Sequence, residues 1–159
     1  MSSKHQFIEY LGSQFGTLEI CADNNGITSI AFVSDRSKLT NSSFNTQQAA
    51  AQLREYFAGN RTQFELQLAP QGTPFQQLVW QQLTTIAYGQ TCSYGDIAKA
   101  INNPKAVRAV GAANGRNPLT IVVPCHRVIG SNGSLTGYAW GTAIKAGLLA
   151  LENTLTLDH

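Results

Sequence analysis

The chain opens with apolar residues at alternate positions. Phe7–Tyr10, Thr17–Ala22 and Ile27–Val33 each carry that alternation, the mark of half-buried strands. The first two are joined around Gly12 and Gly16, and Asp23-Asn24-Asn25-Gly26 turns into the third, so a three-stranded antiparallel meander is expected. Beyond a polar stretch, Ser34–Asn45, the period lengthens. Ala49, Ala50, Leu53, Tyr56 and Phe57 recur at helical spacing within Thr46–Ala58, and Gly59 stands where a helix ends. Arg61–Leu68 reads as one more short strand, and Ala69–Gly72 as a junction.

The second half is patterned for helices. Thr73, Pro74 and Gln76 supply a cap, a first-turn proline and the far side of a capping box. They predict a helix from Pro74 to about Ala87, with Phe75, Leu78, Val79, Leu83 and Ile86 inward. Ser93 with Asp96 three positions on predicts a second helix, Tyr94–Ile101. Asn102-Asn103-Pro104 breaks it, and Pro104 opens a third that Gly115 ends. Two helices across so short a turn predict a helix-turn-helix. In its second helix Val107, Val110 and Asn114 face the core, whereas Arg108, Gly111, Ala112 and Gly115 set one long cation among tiny side chains. Each helical glycine costs about 1 kcal/mol relative to alanine. Either tight helix packing or the close approach of another backbone explains tolerating two. Thr142 is expected to cap a last helix through Leu151, with Ile144, Leu148 and Leu151 buried and Glu152 and Asn153 closing it. The fold class is α/β (α+β), with one domain over residues 1–70 and a mostly helical one over 71–159.

Composition narrows the function. Of the 159 residues 43% are hydrophobic, enough for a packed core, and no apolar run approaches membrane-span length. The start Met-Ser-Ser-Lys-His-Gln lacks a secretory h-region, so a cytoplasmic protein is expected. Residues 1–70 carry five Lys/Arg against six acids, net −1; residues 71–159 carry six against three, net +3. The motif-bearing half is therefore the positive one, which suits an anionic partner. Cys21, Cys92 and Cys125 are too scattered for a disulfide framework or a cysteine-rich metal site. Only His5 joins Cys21 as an early ligand, and neither metal nor cofactor is expected.

The candidate chemistry gathers in Ile121-Val122-Val123-Pro124-Cys125-His126-Arg127-Val128. Val122 and Val123 favour extended backbone, and Pro124 makes an abrupt corner from which a thiol, an imidazole and a guanidinium follow. A cysteine in such a place is either a small packing residue or a nucleophile with a tuned pKa. A free thiol is only a few per cent thiolate at neutral pH. His126 is too close in sequence to fold onto Cys125 easily, but a bridging water could relay the proton. A carboxylate would hold the imidazole, and with Asp96 spent on a cap and Asp158 in the tail Glu152 is left, although its own position reads first as a surface carboxylate at a helix end.

This run resembles the active-site signature of the O6-alkylguanine-DNA alkyltransferases. The resemblance extends through Thr73–Trp80, Tyr88-Gly89, Ser93-Tyr94-Gly95, Asn103–Gly111, Arg116-Asn117-Pro118 and Gly137-Tyr138, covering most of Thr73–Glu152. It implies a small ribonuclease H-like antiparallel-sheet domain followed by a winged helix-turn-helix-like alkyltransferase domain. It also implies a Cys–water–His–Glu relay on Cys125, His126 and Glu152, with Asn117 and Arg127 bracing the loop. By the same resemblance Ser93, Tyr94, Gly95, Asn103, Arg108, Gly111 and Ser131 contact DNA. Arg108 would enter from the minor groove to fill the space of an extruded base. Tyr94 either presses on the flanking phosphate or donates a proton to the leaving guanine. Val128, Tyr138 and Trp140 would line the alkyl pocket, and Lys145 either reaches it or is solvated. Ala139 and Trp140 follow Tyr138 where known relatives have serine next, so bulky alkyl groups are not expected to fit easily. The expected partner is double-stranded DNA bearing O6-alkylguanine, bound by a monomer that is consumed in one turnover, because a thioether offers no carbonyl for water to attack. The competing readings are a lesion-binding protein without chemistry, a helix-turn-helix regulator and a Cys-His hydrolase.

Overall fold

The computed structural model describes residues 6–135 and 137–153. They fall into two compact units divided between Gln71 and Gly72. His5 and Asp158 lie outside the described residues.

In the first unit β1 (Phe7–Ser13), β2 (Gly16–Asp23) and β3 (Gly26–Val33) pair antiparallel in chain order. Register places Leu11 opposite Leu18 and Ile20 opposite Ile30, four apolar side chains that are all buried. Gly12 lies within β1, so the first turn is Gln14-Phe15 with Gly16 at φ 128°. In the second turn Asp23 Oδ1 accepts from the backbone of Asn25 and Gly26. A side chain at Gly26 would put its Cβ 2.6 Å from the Gln67 carbonyl oxygen, so this glycine is sterically required.

Helix α1 (Phe44–Phe57) buries the five expected residues. It begins two residues early because Ser43 and Thr46 form a capping box. Residues 61–68 are not a strand. One parallel bridge joins Ile27 to Leu68, and the Gln52 amide takes both backbone groups of Glu65, which a strand neighbour would otherwise bond.

The second unit holds α2 (Pro74–Leu83), β4 (Cys92–Ser93), α3 (Tyr94–Ala100), α4 (Val107–Gly115), β5 (Val128–Ile129) and α5 (Thr142–Leu151). Both expected capping boxes form, Thr73 with Gln76 and Ser93 with Asp96. Helix α2 stops short of Ala87, where the Thr84 and Thr85 hydroxyls donate to the carbonyls of Gln81 and Gln82. Leu78 faces outward, and Trp80 takes an inward place, its indole donating to the Ala113 carbonyl of α4 at 2.9 Å. Pro104 lies in the turn before α4, and the helix starts at Val107 with Ala106 as its cap. Its buried stripe runs through Val110, Ala113 and Asn114, and that rotation leaves Val107 exposed rather than core-facing. Gly141, not Thr142, caps α5, whose buried residues are Lys145, Leu148 and Leu149. Ile144 and Leu151 are half-buried. Asn153 adopts φ 66°, as a residue just past a helix does. Among the described residues no helix is long and apolar enough to cross a membrane. Nor do three His, Cys, Asp or Glu side chains among them cluster as a metal site.

Candidate active site and nucleic-acid interface

The approach to Cys125 is a series of tight turns, not the extended run expected from its valines. Val122 N–H donates to the Thr120 carbonyl across Ile121 at φ 74°, a γ-turn of the strained hand. Cys125 N–H donates to the Val123 carbonyl across Pro124 at φ −82° and ψ 63°, the relaxed hand. Valine propensity yields because the Asn117 side chain clamps the loop: its oxygen accepts from Leu119 N–H and its nitrogen donates to Val123 O at 2.8 Å. Left-handed backbone at a β-branched residue costs about 1–3 kcal/mol. Ile121 has only 1% of its surface exposed, and that burial offsets the cost.

Cys125–Arg127 then form one 3-10 turn, and Val128 leaves it to pair with Cys92 in the parallel β4–β5 ladder. The three polar residues are all buried. His126 Nε2 lies 2.8 Å from Glu152 Oε2. Arg127 grips the same carboxylate with Nε on Oε1 at 2.8 Å and Nη2 on Oε2 at 3.0 Å. Its third nitrogen donates to the Ile86 carbonyl, and the guanidinium lies 5.7 Å from the centre of the Tyr88 ring. Arg127 thus holds Glu152, which holds His126.

Burial alone would push the Glu152 carboxyl up, but hydrogen bonds from His126 and Arg127 and the cationic charge outweigh it and bring it down to about 2. Burial pushes His126 down, against the pull of Glu152. At neutral pH the pair is therefore carboxylate and neutral imidazole. Nε2 carries the hydrogen and Nδ1 keeps a lone pair, for which no hydrogen-bond partner exists among the described residues.

Burial pushes the Cys125 thiol up, opposed by hydrogen bonding from Asn117 and by the Lys145 charge. The resting group is a thiol that needs a base. Lys145 is fully buried, not solvated, and donates to the Val128 carbonyl at 2.6 Å. Tyr138 is buried with its hydroxyl 2.6 Å from Thr120 Oγ1. Trp140 is half-buried in the turn before α5. Burial, then the nearby carboxylate, raises Cys21 and Cys92 to about 11, and neither stands beside an imidazole that could serve as its base among the described residues.

The helix-turn-helix gathers the other set. Arg108, Ala112 and Gly115 are exposed on α4, and Arg108 makes no ion pair among the described residues. A Cβ at Gly115 would meet nothing within 4 Å, and one at Gly111 would touch Tyr94 at an ordinary 3.9 Å. Packing within the described residues therefore demands neither glycine. Tyr94 opens α3 and points its hydroxyl toward Gly137, where a Cβ would sit 2.9 Å away. Ser93 is engaged by Asp96 as a cap, and Gly95 is half-buried beside it. Asn103 is exposed in the helix–helix turn and Ser131 in the 130–134 loop.

Three residues around the site have no chemistry that their positions in the sequence announce: Asn114 on the Cys125 carbonyl, Thr120 beside the thiol, and Tyr88 against the Arg127 guanidinium. Asn114 Nδ2 donates to the Cys125 carbonyl at 3.4 Å. A polar residue on the core stripe of α4 was its one available signal.

Residues 7–70 match the family described as 6-O-methylguanine DNA methyltransferase, ribonuclease-like domain, and residues 74–154 match the DNA binding domain of the same description. The methylated-DNA–protein-cysteine methyltransferase of Methanosarcina acetivorans is 48% identical over 149 residues, covering 89% of this chain and 95% of the relative. The constitutive enzyme of that name from Bacillus subtilis is 62% identical over 109 residues, 68% of this chain and 66% of the relative. The crystal structure of Mycobacterium tuberculosis O6-methylguanine methyltransferase superposes with a TM-score of 0.84 at 42% identity, covering 96% of this chain and 99% of that one. The OGT of that organism in complex with DNA gives 0.83 at 45% identity, with 91% of each chain covered.

Proposed function

Because the chain belongs to the 6-O-methylguanine DNA methyltransferase family, we infer that it repairs DNA by taking the alkyl group of O6-alkylguanine onto Cys125 Sγ. The observation that carries this reading is a buried thiol beside a neutral imidazole whose Nε2 is locked on Glu152 and whose Nδ1 is available as a base.

The S–H proton passes through a water to His126 Nδ1, and Glu152 stabilises the imidazolium formed. The thiolate attacks the alkyl carbon, so an S–C bond forms as the C–O bond breaks. The C–O electron pair goes to guanine, which takes up a proton as it leaves, and the Tyr94 hydroxyl is the donor we assign. A thioether has no carbonyl for water to attack, so each molecule reacts once. Lys145 and Asn117 favour the thiolate, one by its charge and the other by a hydrogen bond.

The lesion is turned out of the stack at a cost of a few kcal/mol, and Arg108 fills its place from the minor groove, where the glycine-bearing face of α4 admits the backbone closely. Ser93, Gly95, Asn103 and Ser131 are assigned to phosphate contacts around it. Val128, Tyr138 and Trp140 bound the alkyl site. One chain holds every reacting group, so a monomer suffices, and relatives from archaea and bacteria, whose chromosomes lie in the cytoplasm, support a cytoplasmic place of work. We assign the sheet-bearing unit through residue 70 as scaffold and residues 71–159 as the repair domain.

The test is incubation with duplex DNA containing O6-methylguanine, followed by mass mapping. The Cys125 peptide should gain one methylene as the DNA loses its methyl group, and a second equivalent of DNA should remain unrepaired. Cys125→Ser should abolish transfer while duplex binding persists. An unmodified Cys125 beside unrepaired DNA overturns the reading.

A further inference from the structure

Among the described residues, the buried side-chain nitrogen and oxygen atoms lacking a hydrogen-bond partner include His126 Nδ1 and Asn114 Oδ1. Both belong to residues that hold Cys125. His126 follows it in the 3-10 turn, and Asn114 reaches it from α4 through the 3.4 Å bond to its carbonyl. Buried polar groups are nearly always paired, so two orphans around one reactive residue call for one explanation.

Their chemistry is matched. Only the NH2 end of the Asn114 amide can face a carbonyl, so the orphaned end is the oxygen, an acceptor. With the His126 hydrogen on Nε2, Nδ1 is an acceptor too. Two acceptors cannot satisfy each other. A water molecule donates twice, and its lone pairs remain to accept from the Cys125 thiol. Asn114 is 2% exposed and His126 is fully buried, so each atom's partner must be an internal one.

Resting on the repair reading above, we propose that Asn114 is a positioning residue for proton transfer: its Oδ1 accepts one hydrogen of the relay water and thereby aims the other at His126 Nδ1. The balance is simple. The thiol gives its proton to the water oxygen, the water gives a hydrogen to Nδ1, and the water is restored. Asn114 takes no proton. Held at one hydrogen, the water does not turn away from the imidazole, and the thiolate forms at lower pH than it would otherwise.

Methyl transfer is measured in single turnover at saturating methylated duplex, across pH, for the unaltered protein, Asn114→Leu, His126→Ala and the double variant. Asn114→Leu should slow transfer about tenfold, the worth of one hydrogen bond, and move the rising limb of the rate–pH profile to higher pH with DNA affinity unchanged. The double variant should be no slower than His126→Ala alone, because both residues act through the same water. Additive slowing, or an unshifted limb, would show that Asn114 merely braces the Cys125 carbonyl and would overturn the proposal. If Asn114→Leu does not fold, a high-resolution crystal structure of the unaltered protein decides. An ordered water within hydrogen-bonding distance of Asn114 Oδ1, His126 Nδ1 and Cys125 Sγ sustains it, and a water that misses Asn114 overturns it. An unaltered protein that leaves the DNA methylated fails both readings; one that repairs it with an additive cycle fails this one alone.

Discussion

Glu152 stands at the carboxyl end of α5, where the helix dipole disfavours an anion, and is almost wholly buried. Arg127 makes that placement tolerable. Glu152→Gln leaves the guanidinium buried without its counter-charge, so it should cost about 3–5 kcal/mol in urea unfolding, more than an exposed pair is worth. The same groups set an acid limit. His126 and Glu152 both have folded values below their unfolded ones, so the unfolded chain binds protons first. Their stabilisation is complete above the ordinary histidine value near 6.5. It declines as pH falls below that, and the Glu152 share is lost between about 4.5 and about 2. Thermal midpoints measured from pH 7 to 3 should fall steadily, and a flat profile would contradict the buried neutral imidazole. Cys125 itself has 5% of its surface exposed, so the methyl group it gains enters packed surroundings. Alkylated protein should melt lower than free protein, by a midpoint shift equivalent to about 1–3 kcal/mol. At this scale the string Pro-Cys-His-Arg was legible because its residue types are chemically distinctive. Ile121 was not: nothing in a β-branched residue announces positive φ, which the Asn117 clamp imposes from outside.

At the scale of elements, legibility followed local chemistry. The meander and the capping boxes at Thr73 and Ser93 were readable because turn and cap residues act over three or four positions. Val107 and Leu78 were misplaced because the inward face of a helix depends on where it starts and on what it packs against. Trp80 and the late start of α4 decide those points through tertiary contact. The outer face of α4 offers a direct opposition between stability and binding. Gly115 faces open space, so Gly115→Ala should stabilise the protein by about 0.5–1 kcal/mol in thermal unfolding. Gly115→Leu should weaken duplex binding instead, because on the proposed docking of α4 it fills the room the backbone would take. Arg108→Ala should lower repair of duplex DNA far more than it lowers reaction with the free modified base, because the role proposed for this side chain is in the stack and not at the sulfur.

For the whole molecule, charge is modest, net +2, with the excess in residues 71–159. Binding that rests on a few exposed cations around α4 should show a shallow salt dependence, with log Kd against log salt having a slope equal to a small number of phosphates. A steep slope would require a basic surface that the chain does not carry. The two compact units divide between Gln71 and Gly72, inside the Gly- and Pro-bearing stretch Ala69–Gly72, whereas the burial of Lys145 and Glu152 was invisible because polar residue types conceal an interior position.

The bond from the Trp80 indole to the Ala113 carbonyl has a practical consequence. It ties a natural fluorophore to the hidden side of the helix whose outer face we assign to the duplex. Trp80 is shielded and Trp140 half-open, so an aqueous quencher such as iodide should dim the second and spare the first. Docking can then be followed without a dye, and an emission from Trp80 that stays constant as the complex forms would mean that α4 meets its partner without bending.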